Sequence, residues 1–289
     1  MIVDIYQYFK EHPSFNKLVG DNFIFVEYKC PIDIEEFQLW TESHIITYVV
    51  SGKKDWITPN KTYELLAGDA IFVRKGVYVT KQYFEEDYCV MLFLINDDFI
   101  KKFMSENNLS PGGSVQGREF EPVFRIDTSD SFQSLIESIF HYLKQGESLP
   151  ERLVTIKFKE LLFNIALNPK NRQLLQYFGS IQQRAKVDME DTMLQNFQYD
   201  LSMEGFAKLC GRSLSTFKRD FKNRFNSTPS KWLNEKRLEY AKALLLGSDL
   251  SISEVCYESG FKNTSHFNRI FKDKYRLPPN QFKMSQNLS

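Results

Sequence analysis

The chain has 289 residues, of which 42% are hydrophobic and 26% are charged, and this length suffices for two domains that each bury a core. Its longest apolar run, residues 90–95, is far too short to cross a bilayer, and the first residues show no signal-peptide pattern, so we expect a cytoplasmic protein without membrane contact. The net charge is zero, but residues 186–289 contain 17 basic and 12 acidic residues, which leaves a net charge of +5 there and −5 in the rest.

Residues 23–95 predict short strands separated by turns. Segments rich in β-branched and aromatic residues alternate with Gly, Pro, Asn and Asp pairs that are typical of turns. Strands this short and this closely spaced favour a small antiparallel barrel or sandwich over a parallel sheet with crossover helices. The predicted strands are 23–28, 44–50, 63–66, 70–73 and 88–95.

Three helices come after the predicted strands. The periodicity predicts a short helix over 97–107, ended by the Ser-Pro-Gly-Gly segment at 110–113, and amphipathic helices over 131–144 and 151–167. The last two helices either form a dimer interface or pack against their own β domain, and the sequence does not distinguish these alternatives. Residues from about 178 to 186 are predicted to be a linker, and the chain beyond them is predicted to be helical.

The C-terminal region contains an internal repeat. Residues 201–232 match residues 251–282 without a gap at a shift of 50 positions, with seven identities. The identities cluster on one short predicted helix in each copy, and they include Arg219 with Arg269 and Lys222 with Lys272. A glycine before each helix, Gly211 or Gly260, permits the tight turn of a helix-turn-helix motif.

Each repeated helix is expected to have an apolar back and a basic front. Phenylalanines at positions 217, 221 and 225, with a tyrosine at the equivalent of the last, recur at helical spacing and predict the buried face. Arg and Lys side chains can bond guanine O6 and N7, and hydroxyls can bond bases or phosphates, so the opposite face is suited to the major groove of DNA. This face comprises Ser215, Lys218, Arg219 and Lys222 in the first copy and Ser265, Asn268, Arg269 and Lys272 in the second, with Thr264 and His266 near the start of its helix.

One long helix is predicted between the two copies, over 229–246. At 1.5 Å per residue it would be about 27 Å long. Major grooves on one side of B-DNA repeat every ~34 Å, so a rigid connector of this length suits two recognition helices in adjacent grooves. An amphipathic helix pair is often simple packing, but duplication of the same basic face favours DNA binding.

The segment 201–282 resembles the DNA-binding domain of the AraC/XylS family of bacterial transcription regulators. The stretch ISEVCYESGFKNTSHFNRIFKDKYRLPPNQF is similar to the family's C-terminal signature over its whole length, except for Cys256-Tyr257, where an Ala is more usual. The resemblance implies that Lys222 and Lys272 contact phosphates. It implies base contacts by Ser215, Lys218, Arg219, Thr264, Ser265, His266, Asn268 and Arg269.

The N-terminal half is similar to the cupin-type barrel of such regulators. The segments ELLAGDAIFVRKGVYV and ITYVVSGK carry this resemblance, and the helix IKFKELLFNIAL fits the branch that includes activators of type III secretion. The resemblance implies an α+β protein of two domains, a cupin-like antiparallel β-barrel with flanking helices and an all-α domain with two helix-turn-helix motifs. The expected divisions are a sensing barrel at 1–125, a helical segment at 126–178 for which dimerisation is one of the two alternatives, a linker at 179–187 and the DNA-binding domain at 188–286.

A cupin-type enzyme, or a small-molecule-binding protein whose helical domain binds other proteins, is the alternative function. Catalytic cupins hold a metal through clustered His and Glu, but only His44 of the four histidines lies among the predicted strands. The four cysteines are far apart and follow no metal-ligand spacing, and no Walker loop, GxSxG or GxGxxG motif is present. We therefore expect no catalytic residues, metal or cofactor, and we expect His44 to be a hydrogen-bonded barrel residue.

The expected partners are double-stranded promoter DNA, RNA polymerase and a second copy of the chain. The sequence leaves open whether the N-terminal domain senses a small molecule inside the barrel or a regulatory protein on its surface. Either signal must bind two conformational states with different affinity in order to switch the protein.

Overall fold

The computed structural model describes residues 3–13, 15–20, 23–28, 35–83, 88–110, 119–145, 149–183 and 188–286. The chain divides into two compact units, Met1–Ala185 and Lys186–Ser289. Strands occur in the first unit, and the described part of the second unit is built from helices and their connections. No helix among the described residues is long and apolar enough to cross a membrane.

The described residues of the first unit form two β-sheets whose strands pair antiparallel, except that β1 pairs parallel with β4. One sheet has the order β1-β4-β9-β6-β7, and the other has the order β11-β8-β5-β10-β3-β2. The strands are β1 (Val3–Asp4), β2 (Lys17–Val19), β3 (Phe23–Tyr28), β4 (Glu36–Thr41), β5 (His44–Ser51), β6 (Lys53–Thr58), β7 (Lys61–Leu66), β8 (Ala70–Val73), β9 (Gly76–Gln82), β10 (Cys89–Ile95) and β11 (Val123–Ile126).

The central strand β10 explains the long apolar run in the sequence. Side chains alternate between the two faces of a strand, and both faces of β10 are buried. Val90, Leu92 and Leu94 belong to the core shared with the other sheet. Met91 and Phe93 belong to a second core on the opposite face, where helices cover the sheet. A strand with two buried faces reads as continuously apolar.

All five predicted strands are present, but several others lie where the local sequence signal is weak. The strand β6 contains Lys53, Lys54 and Asp55, and charged residues are depleted in strands. Lys54 and Asp55 are nevertheless buried in this strand, which pairs with β7 and β9. The ammonium of Lys54 lies 5.4 Å from the ring centre of Tyr28, and the hydroxyl of Tyr83 donates a hydrogen bond to Asp55 at 2.7 Å. Tertiary pairing therefore outweighs the local preference.

The helices that follow β10 pack on the six-stranded sheet, whereas the short helix over Ile5–Glu11 places Ile5 and Phe9 in the core between the sheets. The predicted helices 97–107, 131–144 and 151–167 are all present, with ends shifted by one residue or so. The apolar residues of the second and third, including Phe132 and Phe158, lie in the same core as Phe25 and Phe93 of the sheet. The helices are α1 (Ile5–Glu11), α2 (Asp97–Glu106), α3 (Asp130–Gln145), α4 (Glu151–Ala166) and α5 (Arg172–Gln183), with a 3₁₀ turn at Pro169–Asn171.

The linker prediction at 179–187 is wrong for residues 179–183, which form the second half of α5. Gly179 and Ser180 suggest a break, yet both are buried. Leu174, Phe178 and Ile181 recur at helical spacing and anchor α5 in the core of the first unit. The rest of the predicted linker, 184–187, lies outside the described residues, and so does most of the predicted break at 110–113.

The second unit is all-α. Its elements repeat the order of a short helix followed by a longer helix, and one long helix, α9, separates the two pairs. The helices are α6 (Met189–Asn196), α7 (Met203–Leu209), α8 (Leu214–Phe225), α9 (Pro229–Gly247), α10 (Ile252–Glu258), α11 (Thr264–Tyr275) and α12 (Pro279–Gln286).

Candidate nucleic-acid interface

The first helix-turn-helix unit consists of α7, α8 and the turn between them. Serine side chains cap both helices: the Ser202 hydroxyl accepts a hydrogen bond from the Gly205 N–H at 3.1 Å, and the Ser213 hydroxyl accepts one from the Thr216 N–H at 3.3 Å. Gly211 has a φ of +62°, in the left-handed region that glycine enters without a Cβ penalty. Ser202 therefore fixes where α7 begins, and Gly211 and Ser213 fix where α7 ends and α8 begins.

The recognition helix α8 has one buried and one exposed face. Phe217 and Phe221 are fully buried, and the ring of Phe221 packs edge-on against Trp232 of α9, with centroids 5.9 Å apart. Packing of this face holds the helix in place and turns the opposite face to solvent. The predicted contact residues Ser215, Lys218, Arg219 and Lys222 are all exposed on that opposite face.

The second recognition helix, α11, has the same construction. The Asn263 side chain caps it by accepting a hydrogen bond from the His266 N–H at 2.8 Å. Phe267 and Phe271 are fully buried, as their equivalents in α8 are. The exposed predicted residues are Ser265, His266, Asn268, Arg269 and Lys272, and Thr264 is half-buried.

The structure corrects the prediction that the two copies of the repeat align without a gap. The recognition helices are both 12 residues long and start 50 positions apart, as predicted. The turn glycines Gly211 and Gly260 are 49 positions apart, and so are the N-caps Ser202 and Ser251. The second turn therefore contains one additional residue, and the 50-residue shift holds only from the recognition helices onward.

The arginine on the first recognition helix is accessible and weakly paired. The Arg219 side chain is 70% exposed, and its Nη2 lies 3.4 Å from Oδ1 of Asp220. The other carboxylate oxygen of Asp220 lies 3.4 Å from Nε of Arg212. Exposed ion pairs of this kind contribute little free energy, so Arg219 remains available to a ligand. The equivalent position to Asp220 in the second helix is Ile270.

The long helix α9 contributes to the cores of both helix-turn-helix units. Thr228 caps it, Pro229 occupies its first turn, and its 19 residues give a length of about 28 Å. Trp232 near its start packs against α8, and Leu238 further along packs in the core of α11. A helix built into two cores behaves as a stiff connector, because bending it would disturb both.

Arg237 is a functional candidate that the sequence pattern did not reveal. This residue lies on the core-facing side of α9, one helical turn after Leu233 and one turn before Ala241, which are both buried. The signal that could have identified it is an arginine four residues after one apolar core position and four residues before another. Its side chain is partly buried and bonds backbone carbonyls of the connection between α6 and α7.

His44 of the N-terminal unit is buried and hydrogen-bonded through both ring nitrogens. Nε2 lies 2.8 Å from Oδ1 of Asp97, and Nδ1 accepts a hydrogen bond from the Lys75 N–H at 3.1 Å. The ammonium group of Lys75 lies 2.7 Å from the other oxygen of Asp97. Within the described ranges, no three His, Cys, Asp or Glu side chains are grouped so that they could hold a metal ion. His44, Lys75 and Asp97 thus form one hydrogen-bonded polar network.

Comparison with known sequences identifies both halves of the chain. Residues 44–177 match the family described as the ExsA N-terminal regulatory domain, and residues 206–285 match a helix-turn-helix domain family. The virulence regulon transcriptional activator VirF of Yersinia enterocolitica is 23% identical over 239 residues, which cover 82% of this chain and 88% of VirF. The regulator ExsA of Pseudomonas aeruginosa is 25% identical over 230 residues, which cover 79% of this chain and 81% of ExsA.

Among solved structures, ToxT of Vibrio cholerae aligns with a TM-score of 0.44 and 14% identity over 92% of this chain and 98% of ToxT. The sequence relatives are transcription regulators and not enzymes, so the enzyme alternative is not favoured. An ExsA-type regulatory domain followed by a helix-turn-helix domain is the arrangement that the sequence resemblance implied. The chain belongs to the AraC/XylS family of DNA-binding transcription regulators, in the branch that includes the type III secretion activators.

Proposed function

We propose that this regulator activates transcription by placing α8 and α11 in adjacent major grooves on one side of promoter DNA. One observation carries the proposal: a single compact unit contains two recognition helices of equal length, each with two buried phenylalanines and an exposed Arg and Lys at equivalent positions. A solvated surface would not require this face to be duplicated. The connector α9, about 28 Å long, matches the scale of the ~34 Å groove repeat.

The exposed residues divide into two kinds of contact. Arg219 and Arg269 occupy equivalent positions in the middle of their helices, where a guanidinium fork can bond O6 and N7 of a guanine. Lys222 and Lys272 lie one turn further along, and we assign them to phosphates, which position the protein without specifying sequence. The proposed base-contacting set is completed by Ser215, Lys218, Thr264, Ser265, His266 and Asn268.

The base-contact assignment is tested by Arg219→Ala and Arg269→Ala. Each substitution should weaken binding to the specific site by ~1–3 kcal/mol and relax the preference at one base pair, because it removes a bidentate contact. Fluorescence anisotropy titrations with the selected site and with single-base variants measure both effects. Lys236→Ala is the control, because it removes a positive charge from α9 and not from a recognition helix. Wild-type affinity in both arginine variants would show that the groove assignment is wrong.

Among the residues that the structure describes, the space between the two sheets favours a signal received at the surface over a small molecule in the barrel. The space between the two sheets near Thr47, Lys54 and Trp56 is about 10 Å³, enough for one water molecule. A small-molecule site usually has ~300–1,000 Å³. We therefore propose that a regulatory protein binds the surface of this unit. Thermal-shift screening of the N-terminal unit against metabolite mixtures should give no hit, and a reproducible hit would restore the small-molecule alternative.

We also propose that the exposed face of α4 pairs two copies of the chain. An open groove of about 780 Å³ lies along this helix, and Ile156 and Leu167 are 59% and 69% exposed there. These residues are three turns apart on the same stripe, so a two-fold axis between antiparallel helices brings Ile156 of one copy against Leu167 of the other. Ile156→Lys should shift the protein to the monomer in sedimentation velocity. An unchanged sedimentation coefficient would remove this helix as the interface.

The remaining partners derive from the proposed activity. Relatives such as VirF are named as transcriptional activators. An activator at a promoter acts on RNA polymerase, which in a bacterium is a cytoplasmic enzyme, and we propose this partner and this compartment for the present chain. In vitro transcription from a template that contains the selected site tests the proposal. A decrease in transcript on addition of the protein would assign it as a repressor.

A further inference from the structure

The partly buried arginine of the connector helix α9 links the segment before the first helix-turn-helix unit to the turn of the second. Nε of Arg237 donates a hydrogen bond to the carbonyl oxygen of Phe197 at 2.6 Å, and Nη2 donates one to the carbonyl oxygen of Tyr199 at 2.8 Å. Both carbonyls belong to the segment that connects α6 to α7, directly before the first helix-turn-helix unit. Burial lowers the pKa of Arg237 to about 10, so the group is still charged at neutral pH. Its two bonds are therefore charge-assisted.

The same guanidinium lies beside the turn of the second helix-turn-helix unit, between α10 and α11. Its Cζ is 5.9 Å from the ring centre of Phe261, and a Cβ added to Gly260 would lie 2.9 Å from its Nε. That Cβ would also lie 2.7 Å from the carbonyl oxygen of Gln198. The backbone of the second turn thus sits directly against Arg237 and the 197–199 segment. Gly260 is the residue that permits this approach.

A second link joins the same two segments at the surface. Nζ of Lys262, two residues after Gly260, lies 2.6 Å from Oδ2 of Asp200. This pair is exposed and contributes little free energy by itself. It shows, however, that the contact between the 197–200 segment and the 260–262 turn continues from the core-facing side to the solvent side.

Apolar packing and the two hydrogen bonds of Arg237 constrain the DNA-binding unit in different ways. Apolar contacts resist bending of α9, but they are non-directional and therefore do not specify the orientation of the 197–199 segment against the Gly260 turn. Two directional hydrogen bonds from one planar guanidinium to two carbonyls can both form in only one arrangement of the groups. A shift of the 197–199 segment relative to α9 would leave a partly buried donor or carbonyl unpaired. The hydrogen bonds of Arg237 therefore add a directional constraint to the non-directional packing of the cores around α9.

We infer that Arg237 is the residue that sets the relative position of the two recognition helices, and with it the base-pair spacing that the DNA-binding unit accepts. The inference rests on the proposed binding of α8 and α11 to adjacent grooves. Arg237 is a positioning residue in this role, since it lies on the core-facing side of α9 and acts through the 197–199 segment and the Gly260 turn. Spacing discrimination, more than affinity for one half-site, is the property it controls.

The test uses the full chain and a series of duplexes. Selection from random duplexes with the wild-type protein yields the preferred site, and further duplexes carry one base pair inserted or removed between the half-sites. Each inserted base pair rotates one half-site by roughly a tenth of a turn. The wild type should bind the inserted site about tenfold more weakly or worse than the preferred site, the cost of displacing about one base contact.

The variants Arg237→Met and Arg237→Lys should lose this discrimination. Methionine keeps a straight, helix-compatible side chain without the donors, and lysine keeps the charge but lacks the fork that bonds two carbonyls. In both variants the ratio between preferred and inserted sites should fall to about threefold or less, while binding to an isolated half-site stays at the wild-type level. Lys236→Met, at the neighbouring position on α9, should keep the wild-type ratio.

The outcomes distinguish failure of the proposed DNA-binding mode from failure of the positioning role of Arg237. If the wild type prefers no duplex, the proposed DNA-binding mode fails. If the wild type discriminates spacing and the Arg237 variants keep the same ratio, only the positioning role is overturned. Circular dichroism confirms that each variant is folded, and Arg237→Lys carries the test if Arg237→Met unfolds. Loss of half-site binding together with spacing discrimination in folded Arg237→Lys would also contradict the inference, because it would indicate a general structural role.

Discussion

At the scale of single residues, the two proposed phosphate contacts differ from the proposed base contacts in what they should control. Lys222 and Lys272 are exposed, and each lies three positions after the recognition arginine of its helix. A lysine that neutralises a phosphate releases a condensed cation when DNA binds, and this release makes the affinity dependent on salt.

Lys222→Ala and Lys272→Ala should therefore each reduce the slope of log affinity against log salt concentration by ~0.9 without changing base preference. Anisotropy titrations between about 50 and 200 mM salt measure the slope. An unaltered slope in either variant would count against a phosphate contact at that lysine.

The buried histidine of the first unit makes stability dependent on pH. Burial lowers the pKa of His44, so the folded protein keeps the ring neutral, with Nε2 donating to Asp97. Although burial opposes ionisation of Asp97, the hydrogen bond from His44 and the ammonium of Lys75 hold the pKa of this carboxyl far below its ordinary value. Below the ordinary histidine pKa of about 6.5, the unfolded chain takes up a proton at this position and the folded chain does not.

The free energy of unfolding of the first unit should accordingly fall as the pH decreases below about 6.5, by at most ~1.4 kcal/mol per pH unit from this group. His44→Gln should lower stability at neutral pH and flatten this dependence. His141→Gln is the matched control, because His141 is exposed. Urea unfolding between about pH 5.5 and 7.5, on either side of the ordinary histidine pKa, tests the prediction. The wild-type pH dependence in His44→Gln would refute it.

At the scale of the structural elements, the two turn glycines have the same backbone conformation but different surroundings. Gly211 and Gly260 have φ values of +62° and +88°, so a side chain is strained at both. A Cβ at Gly211 would have no atom within 4 Å, whereas a Cβ at Gly260 would lie 2.7 Å from the Gln198 carbonyl oxygen.

Gly211→Ala should thus destabilise the second unit by ~1–2 kcal/mol, the ordinary cost of a left-handed residue with a Cβ. Gly260→Ala should destabilise it more, because backbone must also move. Thermal unfolding followed by circular dichroism gives the order of the two midpoints. Equal midpoints would show that the close approach at Gly260 relaxes without cost.

At the scale of the whole molecule, each unit has its own hydrophobic core. The first contains one core between the sheets and another between the six-stranded sheet and its helices, while the second contains a core around α9, α10 and α11. Units with separate cores are expected to fold independently.

A fragment comprising residues 186–289 should therefore fold and bind the selected DNA site with the same base preference as the full chain. Calorimetry of the full chain should show two transitions whose midpoints match those of the separate fragments. A single cooperative transition of the full chain, or an unfolded C-terminal fragment, would contradict independent folding.

Elements whose signals are local or repeated can be predicted from the amino-acid sequence without further information. Helical spacing of Phe217 and Phe221 predicts the buried face of α8, and the caps Ser202, Ser213 and Asn263 are of the residue types preferred at that position. The repeat predicts the second recognition helix at the same length. These features depend on side-chain direction and capping within a few residues, so neighbouring sequence contains the information.

Features that depend on distant partners emerge only when the chain is folded. Burial of Lys54 on the paired strand β6, continuation of α5 through Gly179 and Ser180, and packing of α3 and α4 on their own sheet all result from contacts far away in sequence. The role of Arg237 is of the same kind, because the carbonyls it bonds lie 38 and 40 residues before it. Local preferences are worth fractions of a kcal/mol per residue, and burial against distant elements outweighs them.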